Sequence, residues 1–387
     1  MLYRALTIKF IPLFLLSIVL SQDQITLHKV FPVQDKGTFL PLSDHLSLVY
    51  TRTIIYHDDH EIYSSVAGII TGVEPLPEPN KVLVLTINDP GKKDSAVLTC
   101  QPVSLNGNKD PSWKIDIPYD SGKPETILSN DRIFFLWPGS QTYSIYHMDG
   151  NKTGQFDLFE KSPWDHEKRL MPIYHGTDLY LLGMYSADLS FSENVHLFQI
   201  YPSFEPDHIS SIPLTVPYHA SISPGKMIAI VGTRNDPASL DQDPYLSIFP
   251  LNGQASISTI RLHRLPAYLL SLQDQVILIF KDRIQAYSPY VITDPTVTLL
   301  DRTFYTQGLI NTGKTVIILA AGEIIAGQTG ALYSNISLLT YDTDSNSVSE
   351  KNISNNSYSK VHLTYLKDSS DLYVQLDNSV YHYKIDK

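Results

Sequence analysis

A chain of 387 residues with a formal net charge of −11 lacks the excess of Lys and Arg that phosphate backbones require, which excludes nucleic acid as a partner. Its one cysteine, Cys100, excludes an intrachain disulfide, so stability rests on packing. Cys100 closes the β-like run Ala96-Val97-Leu98-Thr99-Cys100, and its thiol reads as a small buried apolar group.

The chain opens with Arg4 and Lys9, the run FIPLFLLSIVL at 10–20, and Val19 and Ser21 at the −3 and −1 positions of a cleavage site. That is the layout of a secretory signal peptide over residues 1–21, with a mature chain, 22–387, starting at Gln22. The apolar run is far short of the roughly 20 residues a bilayer core needs. No stable membrane span is expected after cleavage. The expected location is the exterior or the lumen of the secretory pathway.

Beyond this segment a pattern recurs along nearly the whole chain: a short apolar run, a polar turn and a second β-rich run. The second runs begin at Leu46, Val82, Ile133, Leu179, Ile228, Val276, Val316 and Leu372. Their mean spacing of about 47 residues falls within the ~40 to 50 of β-propeller blades. The fourth copy shows the unit whole. Met171 to Tyr174 and Leu179 to Gly183 flank the turn His175-Gly176-Thr177-Asp178; a third run covers Val195 to Ile200 and a more polar one Ile209 to Leu214. The second run is apolar almost throughout, as expected of a strand covered on both faces. Four strands of this kind make one blade.

Turn chemistry repeats in step with the strands. Turn formers precede the second run at Asn80, Ser129 to Asp131, Gly176 to Asp178, Pro224 to Lys226, Thr312 to Lys314 and Ser369 to Asp371. After the third run come Asn106-Gly107, Asp149-Gly150 and Asn252-Gly253, the pairs favoured in two-residue hairpin turns. The expected fold is all-β: a propeller of four-stranded antiparallel blades, eight by count, or seven if the short first copy is irregular. The last copy ends one strand short, and Ile25 to Phe31 offers the missing strand. Pairing of the N- and C-terminal strands would close the ring and cover its edge.

Two of the copies, Phe134-Phe135-Leu136-Trp137-Pro138-Gly139 with Tyr143 to Asp149, and Val316 to Gly322 with Ile336 to Asp342, run in the order strand, glycine, loop, strand, aspartate. In this order the chain resembles kelch-like propellers. It departs from them in carrying single glycines at Gly183, Gly232 and Gly322 where kelch blades pair them, and only Trp113 stands where the fourth-strand tryptophan would. The resemblance implies the fold and carries over no functional residue.

A site is expected in loops joining second to third strands, which emerge on one face of a propeller. The best candidate is Tyr56, His57, Asp58, Asp59 and His60, an unusual concentration of aromatic, imidazole and carboxylate groups. Imidazole with carboxylate can take a divalent ion, but this spacing fits neither HExxH nor a calcium loop. The segment is read as a binding loop without metal, and no cofactor is expected. Asp342-Thr343-Asp344-Ser345-Asn346 starts like a calcium loop, yet Ser347 replaces the required glycine, so it reads as a tight turn. No GxSxG elbow, phosphate-cradling glycine loop, paired-cysteine zinc site or Asp-box repeat occurs. Glycosylation sequons stand at Asn151, Asn335, Asn352 and Asn355.

These observations favour a secreted, non-enzymatic binding module that presents propeller-face loops to a protein or glycan. An extracellular hydrolase or oxidoreductase with its site in the channel is the alternative, because two separated carboxylates leave no sequence signature.

Overall fold

The computed structural model describes residues 25–385 except for short stretches, the longest being 89–96, 117–124, 158–169, 185–194, 201–206, 235–242 and 252–257. Residues 1–21, read as a signal peptide, lie outside the described residues. All regular structure among the described residues is β, in eight four-stranded antiparallel sheets. Blade 1 spans 38–64, blade 2 68–116, blade 3 125–157, blade 4 170–212, blade 5 216–261, blade 6 268–299 and blade 7 305–354. Blade 8 joins 361–385 to the strand Ile25–Pro32. The chain is an eight-bladed β-propeller. The short first copy is a full blade, which settles the count against seven.

Burial explains why these segments form strands. Second strands are the most enclosed: Val276–Ile279 and Asp371–Leu376 are buried at every position. Removing such a Val, Leu or Ile from water contributes about 1.5 to 3 kcal/mol each. The core is not one mass but a chain of clusters, each straddling two neighbouring blades. Ile173 to Leu214 of blade 4 packs with Ile228, Ile230 and Phe249 of blade 5. Ala229 and Val231 pack with Val276 and Leu278 of blade 6, and Ile277 and Ile279 with Val316 and Ile318 of blade 7. The same scheme joins blades 7 and 8, 1 and 2, and 2 and 3. Cys100 belongs to the blade 2–3 cluster, and burial pushes its thiol well above the ordinary value.

Where they are described, the turns follow the sequence pattern; those at 130–131, 176–177 and 252–253 lie outside the described residues. Asn80, Lys226 and Ser370 adopt left-handed φ values of 61°, 58° and 60°, and Gly107 and Gly150 both sit at 86°. At 343–346, Asp342 Oδ1 accepts from the N–H of Asp344 at 3.1 Å and of Ser345 at 2.7 Å, which makes this segment a tight turn.

Ring closure takes the expected route. Ile25–Pro32 lies antiparallel to Ser379–Ile385, in register from Ile25↔Ile385 to Pro32↔Ser379 with one irregularity between Leu27 and Lys29. Val33, Phe39, Tyr373 and Val380 form the apolar cluster across the junction of blades 8 and 1.

The connections between second and third strands vary from blade to blade. In blades 1 and 6 they are short, at 51–53 and 280–282, and in blade 8 only 377–378. Those of blades 2, 4 and 5 lie outside the described residues. In blade 7 the two strands instead extend into a long hairpin, Thr315–Gly327 with Gly330–Asp342, whose outer half exposes Ile324 and Ile325.

Candidate functional site

The expected loop at residues 56–60 is a hairpin tip in blade 1. Ile54–His57 is the third strand and His60–Ser64 the fourth, with His57 directly opposite His60. Asp58 takes φ 48°, the left-handed conformation that two-residue turns demand, and Asp59 lies outside the described residues. The assignment to a second-to-third-strand loop is therefore corrected: this turn joins the third strand to the fourth, at the opposite end of the blade. Tyr56 and His57 are half-buried, while Asp58 and His60 are exposed. His57 Nε2 lies 3.7 Å from Asp58 Oδ2, too far for a hydrogen bond, and it has no hydrogen-bond partner among the described residues.

First-to-second and third-to-fourth turns share one end of a blade because successive strands reverse direction. The hairpin at 56–60 thus faces the same way as two turns of blade 2, at 76–80 and 105–112. These elements touch. Lys109 Nζ sits 4.7 Å from the centre of the Tyr63 ring, and the Leu105 N–H donates to the Asn80 carbonyl at 2.9 Å.

Next to them, between blades 2 and 3, lies a groove of about 320 Å³ lined by Leu76, Pro102, Trp113 and Met148. Trp113 is the outer-strand tryptophan of blade 2. It stacks on Tyr146 of blade 3 at 5.5 Å between ring centres and meets Phe135 edge-on at 6.2 Å. Gly150 makes this contact possible, since a Cβ there would stand 2.4 Å from the indole Cγ. The indole Nε1 is enclosed and has no hydrogen-bond partner among the described residues.

The rim of the groove is acidic. Lys81 Nζ lies 2.7 Å from Glu78 and 2.9 Å from Asp110, and these hydrogen bonds hold its ammonium above the usual lysine value. Asp149 also borders the groove; hydrogen bonds from Asn151 hold its carboxyl below the usual range. Gln101 Nε2 donates to the Asp110 carbonyl and fixes the loop that carries this carboxylate.

Of the sequons, Asn151 follows the blade 3 turn and is exposed, as are Asn352 and Asn355 on the outer edge of blade 7. Asn335 is half-buried inside the strand Gly330–Asp342, with φ 54°.

No protein-family profile matches the sequence, and no curated protein matches it. Solved structures do match in shape. BamB from Moraxella catarrhalis superposes with a TM-score of 0.55 at 13% identity, over 94% of this chain and 100% of that one. Apo AztD from Citrobacter koseri gives 0.48 at 11% identity, over 91% and 89%. The Pan2 WD40 domain of Neurospora crassa gives 0.46 at 10% identity, over 83% and 90%. At such identities the likeness establishes the propeller and nothing about its ligand. Among the described residues no helix is long and apolar enough to cross a membrane.

Sequence reasoning missed the groove. Trp113 stood out only as the tryptophan in the kelch-like fourth-strand position, and Lys81 only as the residue after the turn former Asn80. What joins Trp113 to Met148 and Asp149 is packing between blades 2 and 3, which no local pattern encodes.

Proposed function

We propose that the chain is a non-enzymatic binding module that holds a protein partner at the end of the ring carrying the first-to-second and third-to-fourth turns of blades 1 to 3. One observation carries this reading: the groove between blades 2 and 3 presents the half-buried Trp113 side chain in apolar walls under an acidic rim. Its volume of about 320 Å³ suits one large side chain rather than a whole small domain. Tryptophan is enriched among the residues that dominate binding energy at interfaces. Glu78, Asp110 and Asp149 favour a segment with Lys or Arg beside its apolar anchor, as does the net charge of −11. Tyr56, His57, Asp58 and His60 lie at the same end of the ring and are assigned a flanking contact, and Asp59 is assigned to it with them by sequence alone. The kelch-like strand order supports grouping the chain with interaction propellers, and the N-terminal segment supports action outside the cell or in the secretory lumen.

Panning a random peptide display library on the purified chain tests the reading. Enriched sequences should pair an aromatic or long aliphatic residue with Lys or Arg, and Trp113→Ala should weaken them about tenfold or more. Enrichment of no sequence, or affinities unchanged in both Trp113→Ala and Asp110→Asn, would overturn it. Binding on a glycan array that is lost in Trp113→Ala would move the partner from protein to carbohydrate.

A further inference from the structure

Blade 4 carries a separate cluster on its outer edge. Its third strand, Val195–Gln199, buries Val195 and Leu197 on one face and turns His196 and Phe198 to the other. The outer strand, Asp207–Ile212, contains a bulge: the register passes from Leu197↔Ser210 to Phe198↔His208, so Ile209 is the extra residue. In a regular strand, residues three apart point to opposite faces. The extra residue brings His208 and Ser211 onto the face of His196.

The result is a triangle of donors. His196 Nδ1 and His208 Nε2 stand 3.3 Å apart, and Ser211 Oγ lies 3.0 Å from the first and 3.2 Å from the second. The Phe198 ring packs edge-on against His208 at 5.4 Å and limits its rotation. His208 and Ser211 are exposed, so an ion from solution reaches the triangle.

Two imidazole nitrogens bound to one tetrahedral zinc at ~2.0 to 2.1 Å stand roughly 3.3 to 3.4 Å apart. The rings already have that separation. We propose that His196 and His208, with the Ser211 hydroxyl as a weak third donor, bind a single divalent ion of the imidazole-preferring class, zinc, copper or nickel. The remaining coordination positions open to solvent. The ion is therefore exchangeable, and a donor from a bound molecule can complete its shell. Neither the groove nor the hairpin at 56–60 takes part, so the site stands or falls independently of the proposed binding function.

Titration of the tag-free purified chain with zinc chloride, and with copper(II) chloride followed by electron paramagnetic resonance, tests the assignment. One ion per chain is expected, with the copper signal showing two coordinated nitrogens and zinc raising the melting temperature. His208→Ala, at an exposed position, should weaken binding about tenfold or more and remove the two-nitrogen signature. Its melting temperature without metal should stay that of the parent. His196→Ala should act likewise, and Ser211→Ala should keep the two-nitrogen signature. Binding that persists in His208→Ala, or that disappears in His60→Ala instead, would overturn the assignment, as would no binding above background.

Discussion

The backbone N–H of Phe39 donates to the side-chain oxygen of Gln375 at 3.0 Å, a hydrogen bond between blades 1 and 8. Gln375 is 2% exposed, and its amide nitrogen donates to the carbonyls of Gly37 at 2.7 Å and Asp377 at 2.9 Å. One buried amide thus fixes both the inner strand of blade 1 and the last turn of blade 8.

Gln375→Leu leaves the Phe39 N–H enclosed without an acceptor. The expected cost is about 1 to 3 kcal/mol of unfolding free energy. Urea denaturation reads it, and an unchanged midpoint would show that the amide is dispensable.

Closure also depends on the first described strand. Deleting residues 22–34 should lower the melting temperature well beyond the effect of removing an equal length of surface loop, because Ser379–Ile385 then becomes an open edge. Equal effects in calorimetry would argue against a closed ring.

Blade 8 should also respond to acid. Asp371 accepts from His382 at 2.6 Å and faces Lys384 at 2.9 Å. Burial opposes its charged form, but hydrogen bonds from its neighbours, His382 and Lys384 among them, outweigh that and hold the carboxyl down to about 2. A folded value below the unfolded one, about 3.9, means the stabilisation is complete above the unfolded value and lost as pH falls through the folded one. Denaturation midpoints measured from pH 5 down to 2 should therefore fall more steeply in the parent than in Asp371→Asn. Parallel curves would contradict this.

Two glycines with left-handed backbones make a graded pair. Gly150 has φ 86° and no room for a Cβ beside Trp113, whereas Gly313 has φ 106° with nothing within 4 Å of that position. Gly313→Ala should lose only the backbone term, about 1 kcal/mol or somewhat more. Gly150→Ala should lose more and also quench or shift tryptophan fluorescence as the indole moves. Equal losses would mean that the Trp113 contact relaxes freely.

Processing is checked by mass. Chain expressed through a eukaryotic secretory pathway should begin at Gln22 and lose mass with an N-glycosidase, from Asn151, Asn352 or Asn355 before the half-buried Asn335. A chain retaining Met1 with no mass change would refute both the signal peptide and the modification.

The blades were legible because their second strands are enclosed on both faces, which imposes apolar runs such as Leu372-Tyr373-Val374 that few other environments require. Turns were legible where a left-handed backbone selects Asn or Gly, as at Asn80 and Gly107. The error at residues 56–60 has a local cause. Thr51-Arg52-Thr53 contains none of the strong turn formers, yet Thr51 Oγ1 accepts from the N–H of Thr53 at 3.3 Å and of Ile54 at 3.0 Å, building a turn from a hydroxyl. Missing that turn merged two strands and gave the next loop to the wrong end of the blade. The groove and the histidine pair were illegible for different reasons. Trp113 meets Met148 only through packing between blades, and His208 joins His196 only through one extra residue in a strand.

The pairing of Ile25–Pro32 with Ser379–Ile385 sets an order of events during synthesis. The first of these strands emerges from the ribosome about 350 residues ahead of the second, a delay on the order of 20 to 70 s at ordinary elongation rates. Throughout that interval Leu27 and Val30, still 45% and 48% exposed in the finished ring, have no partner strand and can pair with other chains. Assembly of this protein therefore hinges on keeping its earliest strand unengaged until its latest one arrives, and conditions that slow elongation should favour linked rings over single ones.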